Sequence, residues 1–186
     1  MKNVVVSVVV VLVLCSLVGP GLAQTSIGFN AVGPKLGFVM PEGDIESTIG
    51  FGLESDLGTI TPQIHLGAFL EYWRKSYDAA YYGWTWSSLG IGATANYLLP
   101  KRGKLGPYVG GGLGLYRAKG EWEYTGPTGP LHERSHSDSN TDLGIHLLAG
   151  VDYEVGPRMK AVAEFRYALS DPDYAAFWGG ILYALK

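Results

Sequence analysis

The sequence predicts an all-β chain: an eight-stranded antiparallel up-and-down transmembrane β-barrel preceded by a signal peptide. Three observations predict it. Apolar and polar residues alternate with a period of two over long stretches, which is the period of a strand. The polar half of that alternation is crowded with glycine and poor in charge, so it cannot serve as a water-facing surface. Beyond the first apolar run there is no second one, which excludes a helical membrane protein, because each helical span needs ~20 continuous apolar residues.

The chain opens on Met1-Lys2-Asn3, runs through VVVSVVVVLVLCSLV and reaches Gly19-Pro20-Gly21-Leu22-Ala23. A basic start, an apolar stretch and small residues at 21 and 23 predict a secretory leader over residues 1–23, cut after Ala23, with a barrel domain over 24–186. The stretch is too short, and too soon broken by Gly-Pro-Gly, to be a spanning anchor. Cys15, the only cysteine, follows Leu14 where a lipoprotein signal would carry a small residue, and it leaves with the leader. Without a thiol, disulfides and cysteine metal sites are excluded. Removing 1–23, with its single basic residue Lys2, leaves 163 residues, 13 basic against 17 acidic side chains and a net charge of −4. That is not the balance of a nucleic-acid binder.

Strand by strand, Val32, Leu36 and Phe38 alternate with Gly33, Lys35 and Gly37, and Pro34, which cannot donate to a ladder, predicts a bulge or a late start. Ile49, Phe51 and Leu53 then oppose Gly50, Gly52 and Glu54. Ile64, Leu66, Ala68, Leu70 and Tyr72 oppose Gln63, His65, Gly67 and Glu71. Leu89, Ile91, Ala93, Ala95 and Tyr97 oppose Gly90, Gly92, Thr94 and Asn96. Val109, Leu113 and Leu115 oppose Tyr108, Gly110, Gly112, Gly114 and Tyr116. In DLGIHLLAGVDYEV, residues 142–155, every odd position is apolar, and Gly156-Pro157-Arg158 turns the chain into a partner carrying Met159, Ala161, Ala163, Phe165, Tyr167 and Leu169. The eighth strand covers roughly 175–185, with Phe177, Ile181, Tyr183 and Leu185 on its apolar side.

Which face points inward decides the environment. A soluble barrel turns its apolar set inward and solvates the rest, whereas here the rest is Gly90-Gly92, Gly110-Gly112-Gly114 and Gly144-Gly150. The inverted arrangement fits: apolar residues contact lipid, and a lumen just wide enough for side chains holds glycines and a few ions. The connections alternate too. Around 41–47, 75–83, 119–141 and 170–174 lies one series, which includes a long polar loop, and around 58–61, 100–107 and 156–158 lies a shorter one. Short periplasmic turns and longer extracellular loops are the pattern of an outer-membrane barrel with both termini periplasmic.

The segments GPYVGGGLGLYR (106–117) and LLAGVDYEVGPRMKAVAEFRYALSD (147–171) resemble the small outer-membrane β-barrel family that includes the transmembrane domain of outer membrane protein A. The resemblance implies the outer membrane of a Gram-negative-type envelope, with outer-membrane lipids and lipopolysaccharide as surroundings and the barrel-insertion machinery as a partner in biogenesis. It implies no single activity, since such barrels include structural proteins, adhesins, pores and lipid-modifying enzymes. The ending Tyr183-Ala184-Leu185-Lys186 departs from the family's terminal aromatic, and no peptidoglycan-binding segment follows the barrel.

Four groups of residues are candidates for function. Lys35, Glu54, Glu71, Asp152, Glu154, Lys160, Glu164 and Arg166 are placed by parity in the lumen, as a plug of paired charges or as the lining of a narrow pore. Tyr72, Trp73, Tyr77, Tyr81, Tyr82, Trp84, Trp86, Tyr97 and Tyr153 are expected to form an aromatic girdle where strands leave the hydrocarbon. His132-Glu133-Arg134-Ser135-His136 matches the spacing of a zinc protease, but its Gly-, Pro-, Ser- and Asn-rich flanks cannot hold the helix that chemistry needs, so His132 and His136 are read as exposed, weak metal ligands at most. Ser87 and Ser88 are conceivable nucleophiles at the lipid interface, yet His65 and His146 face the lumen and no orienting carboxylate stands outside. The expectation is a non-enzymatic outer-membrane barrel, without catalytic residues or cofactor, acting structurally or through its extracellular loops. A narrow pore or a lipid A-modifying enzyme is the alternative.

Overall fold

The computed structural model describes residues 26–124 and 135–185; the leader expected over 1–23 and the segment 125–134, with His132, lie outside them. Eight strands follow one another: β1 (Ser26–Pro41), β2 (Thr48–Thr61), β3 (Ile64–Ala79), β4 (Tyr82–Leu98), β5 (Leu105–Tyr124), β6 (Ser135–Gly156), β7 (Met159–Leu169) and β8 (Tyr174–Ala184). Each pairs antiparallel with the next, and β1 pairs with β8, so the barrel closes in sequence order. Closure leaves the membrane-spanning part no edge, the condition for β-structure in lipid.

The apolar half of each alternation faces out. Leu36, Phe51, Ile91, Leu115, Leu147 and Phe177 are all exposed, while Gly37, Gly50, Gly90, Gly114, Gly144 and Trp178 are buried on the inner side. The barrel is therefore apolar toward lipid and polar within. Pro34 causes neither a bulge nor a late start. It pairs with Leu53 of β2, and the ladder to β8 skips residues 33 and 34 without changing register; the irregularity in β1 falls instead between Ile27 and Ala31. Gly33 explains the tight seam, since a Cβ there would lie 1.6 Å from the Ile181 carbonyl oxygen.

The strands differ in length more than the sequence predicts. A tilted strand crosses a bilayer in ~9–11 residues. β7 and β8 have 11 residues each, but β3, β4, β5 and β6 have 16, 17, 20 and 22. The excess lies at one end, where β3–β6 continue as a four-stranded sheet beyond the closed ring. The expected loop at 75–83 is thus a connection of two residues, 80 and 81, between strands that pair from Ala79↔Tyr82 downward. Most of the expected loop at 119–141 is ladder as well, pairing Lys119↔Ser139 and continuing to Glu123↔Ser135. The turn placed at 58–61 is strand up to Thr61, with register shifts beside Gly58. Outside the membrane both faces of a strand meet water, so the apolar-polar alternation fades although the hydrogen bonds continue.

Candidate functional site: a sealed lumen beneath a projecting sheet

Inside the barrel, Lys35 on β1, Glu71 on β3, and Glu164 and Arg166 on β7 meet at mid-height. Glu71 Oε1 accepts from Lys35 Nζ at 2.7 Å and from Arg166 Nη1 at 2.6 Å, and Glu71 Oε2 accepts from the Tyr174 hydroxyl at 2.9 Å. Glu164 Oε1 accepts from Arg166 Nη2 and Nε at 2.6 and 3.0 Å, and Glu164 Oε2 from Tyr108 at 3.2 Å. Glu54 adds a looser contact to Lys35 at 3.5 Å. The side chains of Glu71 and Arg166 are 1% and 0% exposed, so this cluster closes the passage. Every buried charge has an opposite partner, the condition under which ions are tolerated away from water.

Aromatic rings complete the seal. Arg166 lies 4.2 Å from the centroid of Phe69, and Lys35 lies 4.9 Å from that of Trp178, both over ring faces. Tyr116 stacks edge-on with Tyr174 and its hydroxyl meets His146 Nδ1 at 3.2 Å. The inner glycines are the seats of these rings: a Cβ at Gly92 would lie 2.7 Å from Phe69 and one at Gly150 2.5 Å from Tyr108. Phe69, Trp73, Tyr174 and Trp178 are lumenal as well: the first two share the parity of Glu71 on β3, and the other two take the parity opposite to the apolar Phe177 and Ile181 on β8.

The remaining predicted ions sit lower, at the end with the short turns. Lys160 reaches Asp152 at 3.4 Å, and Glu154 pairs with Lys101 of the β4–β5 connection at 2.8 Å, both partly exposed. A cavity of about 60 Å³ beneath the cluster, lined by Glu54, Asp56, His65, Asn96 and Tyr108, opens toward this mouth.

The aromatic girdle needs correction. Tyr72, Tyr97 and Tyr153 do face outward, Tyr72 where the β2–β3 ladder ends in mid-β3 and the other two near the ends of β4 and β6. Trp73 does not: it follows Glu71 on the inner face, is 2% exposed and contacts Tyr174. Tyr77 continues that inner face at the rim, where its hydroxyl accepts from the Glu46 backbone N–H. Tyr81 stands exposed in the two-residue connection. Tyr82, Trp84 and Trp86 lie on the face of β4 that carries buried Ser88, since the β3–β4 and β4–β5 ladders run without a shift. They are exposed because the ring has ended, and they face along the inner side of the projecting sheet, not the lipid. Trp122 and Tyr124 join them from β5, with Tyr82 5.0 Å from Tyr124 and stacked at 5.7 Å on Trp84.

Charge divides between the two faces of the projection. Arg74, Arg117 and Lys119 point outward with Glu121 and Glu123, and the Lys119–Glu121 pair at 2.5 Å holds the Glu121 carboxyl below the usual glutamate range. The inner face carries Asp138 and Asp142, and Lys75, which Glu46 binds at 2.8 Å, raising its pKa. His136 lies here as well, in extended backbone opposite Trp122 with ring centroids 6.4 Å apart. The last two residues of the protease-like motif are therefore strand, which the helix of a zincin forbids. Among the described residues no three metal-ligating side chains converge. Ser88 is buried toward the lumen and Ser87 faces outward beside Arg74 and Lys119, whereas His65 lies at the opposite end of the barrel beside Asn96.

The family model for the outer membrane protein beta-barrel domain matches residues 8–180. This chain belongs to the outer-membrane β-barrel family. As a member it resides in the outer membrane, its apolar wall in lipid. Its fold is similar to that of Ail, the attachment invasion locus protein of Yersinia pestis, at 15% identity and a TM-score of 0.58, over 84% of this chain and 97% of that one. It is similar also to Neisserial surface protein A (22% identity, TM-score 0.56, 82% and 95% covered) and to the N-terminal β-barrel domain of Pseudomonas aeruginosa OprF (16%, 0.51, 85% and 99%). Such identities speak for the shared barrel alone. No curated protein matches the chain.

Proposed function

We propose that this outer-membrane barrel is a non-enzymatic anchor that holds the β3–β6 sheet above the cell surface, both termini being periplasmic, and that this sheet makes its contacts. The observation that carries the reading is the contrast between its two halves. The lumen is closed at mid-height by Lys35, Glu71, Glu164 and Arg166, whereas β5 and β6 run to 20 and 22 residues, about twice what a bilayer needs. A passage blocked by paired ions serves rigidity, and long strands on a rigid scaffold are where specificity usually lies.

Lipopolysaccharide is the nearest partner. Arg117 shares a ladder row with the lipid-facing Tyr72 and Leu89, and Arg74 and Lys119 share the row above it around Ser87. Three cations just beyond the apolar wall stand where lipid A phosphates lie, and guanidinium–phosphate pairs are among the stronger charge-assisted hydrogen bonds. The insertion machinery acts on the chain during biogenesis, and nucleic acid is not a partner. Planar-bilayer recording decides between anchor and pore: purified protein is expected to give no stable conductance steps, and reproducible unitary currents would establish the narrow pore instead. Unchanged lipid A in a deletion strain is the matching result against the enzyme.

A further inference from the structure

We infer that the inner face of the projecting sheet binds cationic side chains of an extended protein segment, each seated on tryptophan rings against an aspartate; the inference rests on the surface role proposed above. Its geometry is a row across three strands. Trp86 of β4 pairs with Gly120 of β5, which pairs with Asp138 of β6. Because Gly120 has no side chain, the Trp86 ring lies flat across β5: a Cβ there would come within 3.1 Å of its Cζ3. The row thus presents an indole face and then a carboxylate, two strand spacings of ~4.8 Å apart. One row further out, Trp84 pairs with Trp122 and Trp122 with His136; one row inward, Ala118 leaves room beneath Asn140, which donates to Asp142 at 2.6 Å.

Two independent features select a cation. Tyr82 and Trp84 stack at an interplanar angle of 23°, Trp122 and His136 are tilted by 30° at 6.4 Å, and the indoles stay open to solvent, with Trp84 and Trp86 43% and 41% exposed. Exposed indole faces attract ammonium and guanidinium groups through the ring quadrupole. The charge of this side then excludes anions. Among the described residues of the projection the inner face has a single cation, Lys75, already bound to Glu46, while Asp138 and Asp142 stand free of one. The adjoining connections add Glu42, Asp44, Glu46, Asp171 and Asp173 with no basic residue between them. Arg74, Arg117 and Lys119 are all on the other face. A lysine or arginine on an extended segment brings both halves of the match, an aliphatic stem for the indole and a charge for the carboxylate. A bulky polyanion such as the heparin analogue bound to Ail meets only repulsion here.

The test uses the full mature protein in nanodiscs of zwitterionic lipid, titrated with a ten-residue peptide of alternating lysine and glycine while tryptophan emission is followed. Saturable quenching that weakens with salt is expected. Trp86→Ala and Asp138→Asn should each weaken binding about tenfold, the size of one cation–π or ion contact, and Glu123→Gln on the outer face should leave it unchanged. Heat-modifiable gel mobility verifies that each variant is a closed barrel. Binding of a neutral maltooligosaccharide with none of the peptide would overturn the inference in favour of a glycan, and equal peptide binding by all variants would overturn the site. Conductance of the same nanodisc-purified protein reports separately on the anchor reading, so the two can fail independently.

Discussion

Arg166 is the residue on which the lumen depends. It donates to both Glu71 and Glu164 and covers Phe69, so two buried carboxylates rely on one guanidinium. Removing one partner of a buried pair leaves an uncompensated charge at a cost of about 3–5 kcal/mol, whereas replacing both with apolar side chains is close to neutral. Arg166→Met is therefore expected to lose about 3–5 kcal/mol, read as a lower urea midpoint in detergent micelles at unchanged m-value. Glu164→Leu combined with Arg166→Met should recover part of that loss, since Glu71 keeps Lys35 and Tyr174. A double variant less stable than the single one would contradict the pairing. Lysine at 166 is no substitute, because a point charge cannot span two carboxylates as the planar fork does.

At the level of the strand, the closing seam between β1 and β8 is where backbones crowd. A methyl at Gly33 has no room beside the Ile181 carbonyl, while one at Gly179, also on this seam, meets nothing within 4 Å. Gly33→Ala is expected to destabilise by about 1–3 kcal/mol, the usual cost of overpacking, and Gly179→Ala to be tolerated; thermal loss of heat-modifiable mobility compares them. The same strands mark how far the sequence could be read. Within lipid, period-two alternation located all eight strands and put Lys35, Glu71, Glu164 and Arg166 inside together. Beyond lipid it failed, because SHSDSNTD at the start of β6 is polar on both faces and resembles a loop. A fainter period of two survives there in other properties: Arg117, Lys119, Glu121 and Glu123 alternate with Ala118, Gly120 and Trp122, and Tyr82, Trp84 and Trp86 recur at every second residue. Trp73 departs from the girdle for a related reason: it belongs to the aromatic cluster around the second outer connection, but its parity with Glu71 places it inside.

For the molecule as a whole, the two faces of the projection imply two different surroundings. The outward cations Arg74, Arg117 and Lys119 border the lipid wall, and the inward acids stand over a sealed barrel. A ligand that binds only the folded protein raises its stability in proportion to the logarithm of its concentration over its dissociation constant. Lipopolysaccharide added to protein in neutral detergent should accordingly raise the unfolding temperature of the native chain. Changing Arg74, Arg117 and Lys119 together to glutamine should leave the temperature without lipopolysaccharide within a few degrees, because surface pairs of this kind contribute little. The same change should remove most of the lipopolysaccharide-dependent rise, and raised salt should mimic it for the native chain. Trp86→Ala, on the opposite face, should keep the full rise. If the triple variant gained as much from lipopolysaccharide as the native chain, the outward row would not be its phosphate contact, and attraction to the outer leaflet would have to come from the apolar wall alone.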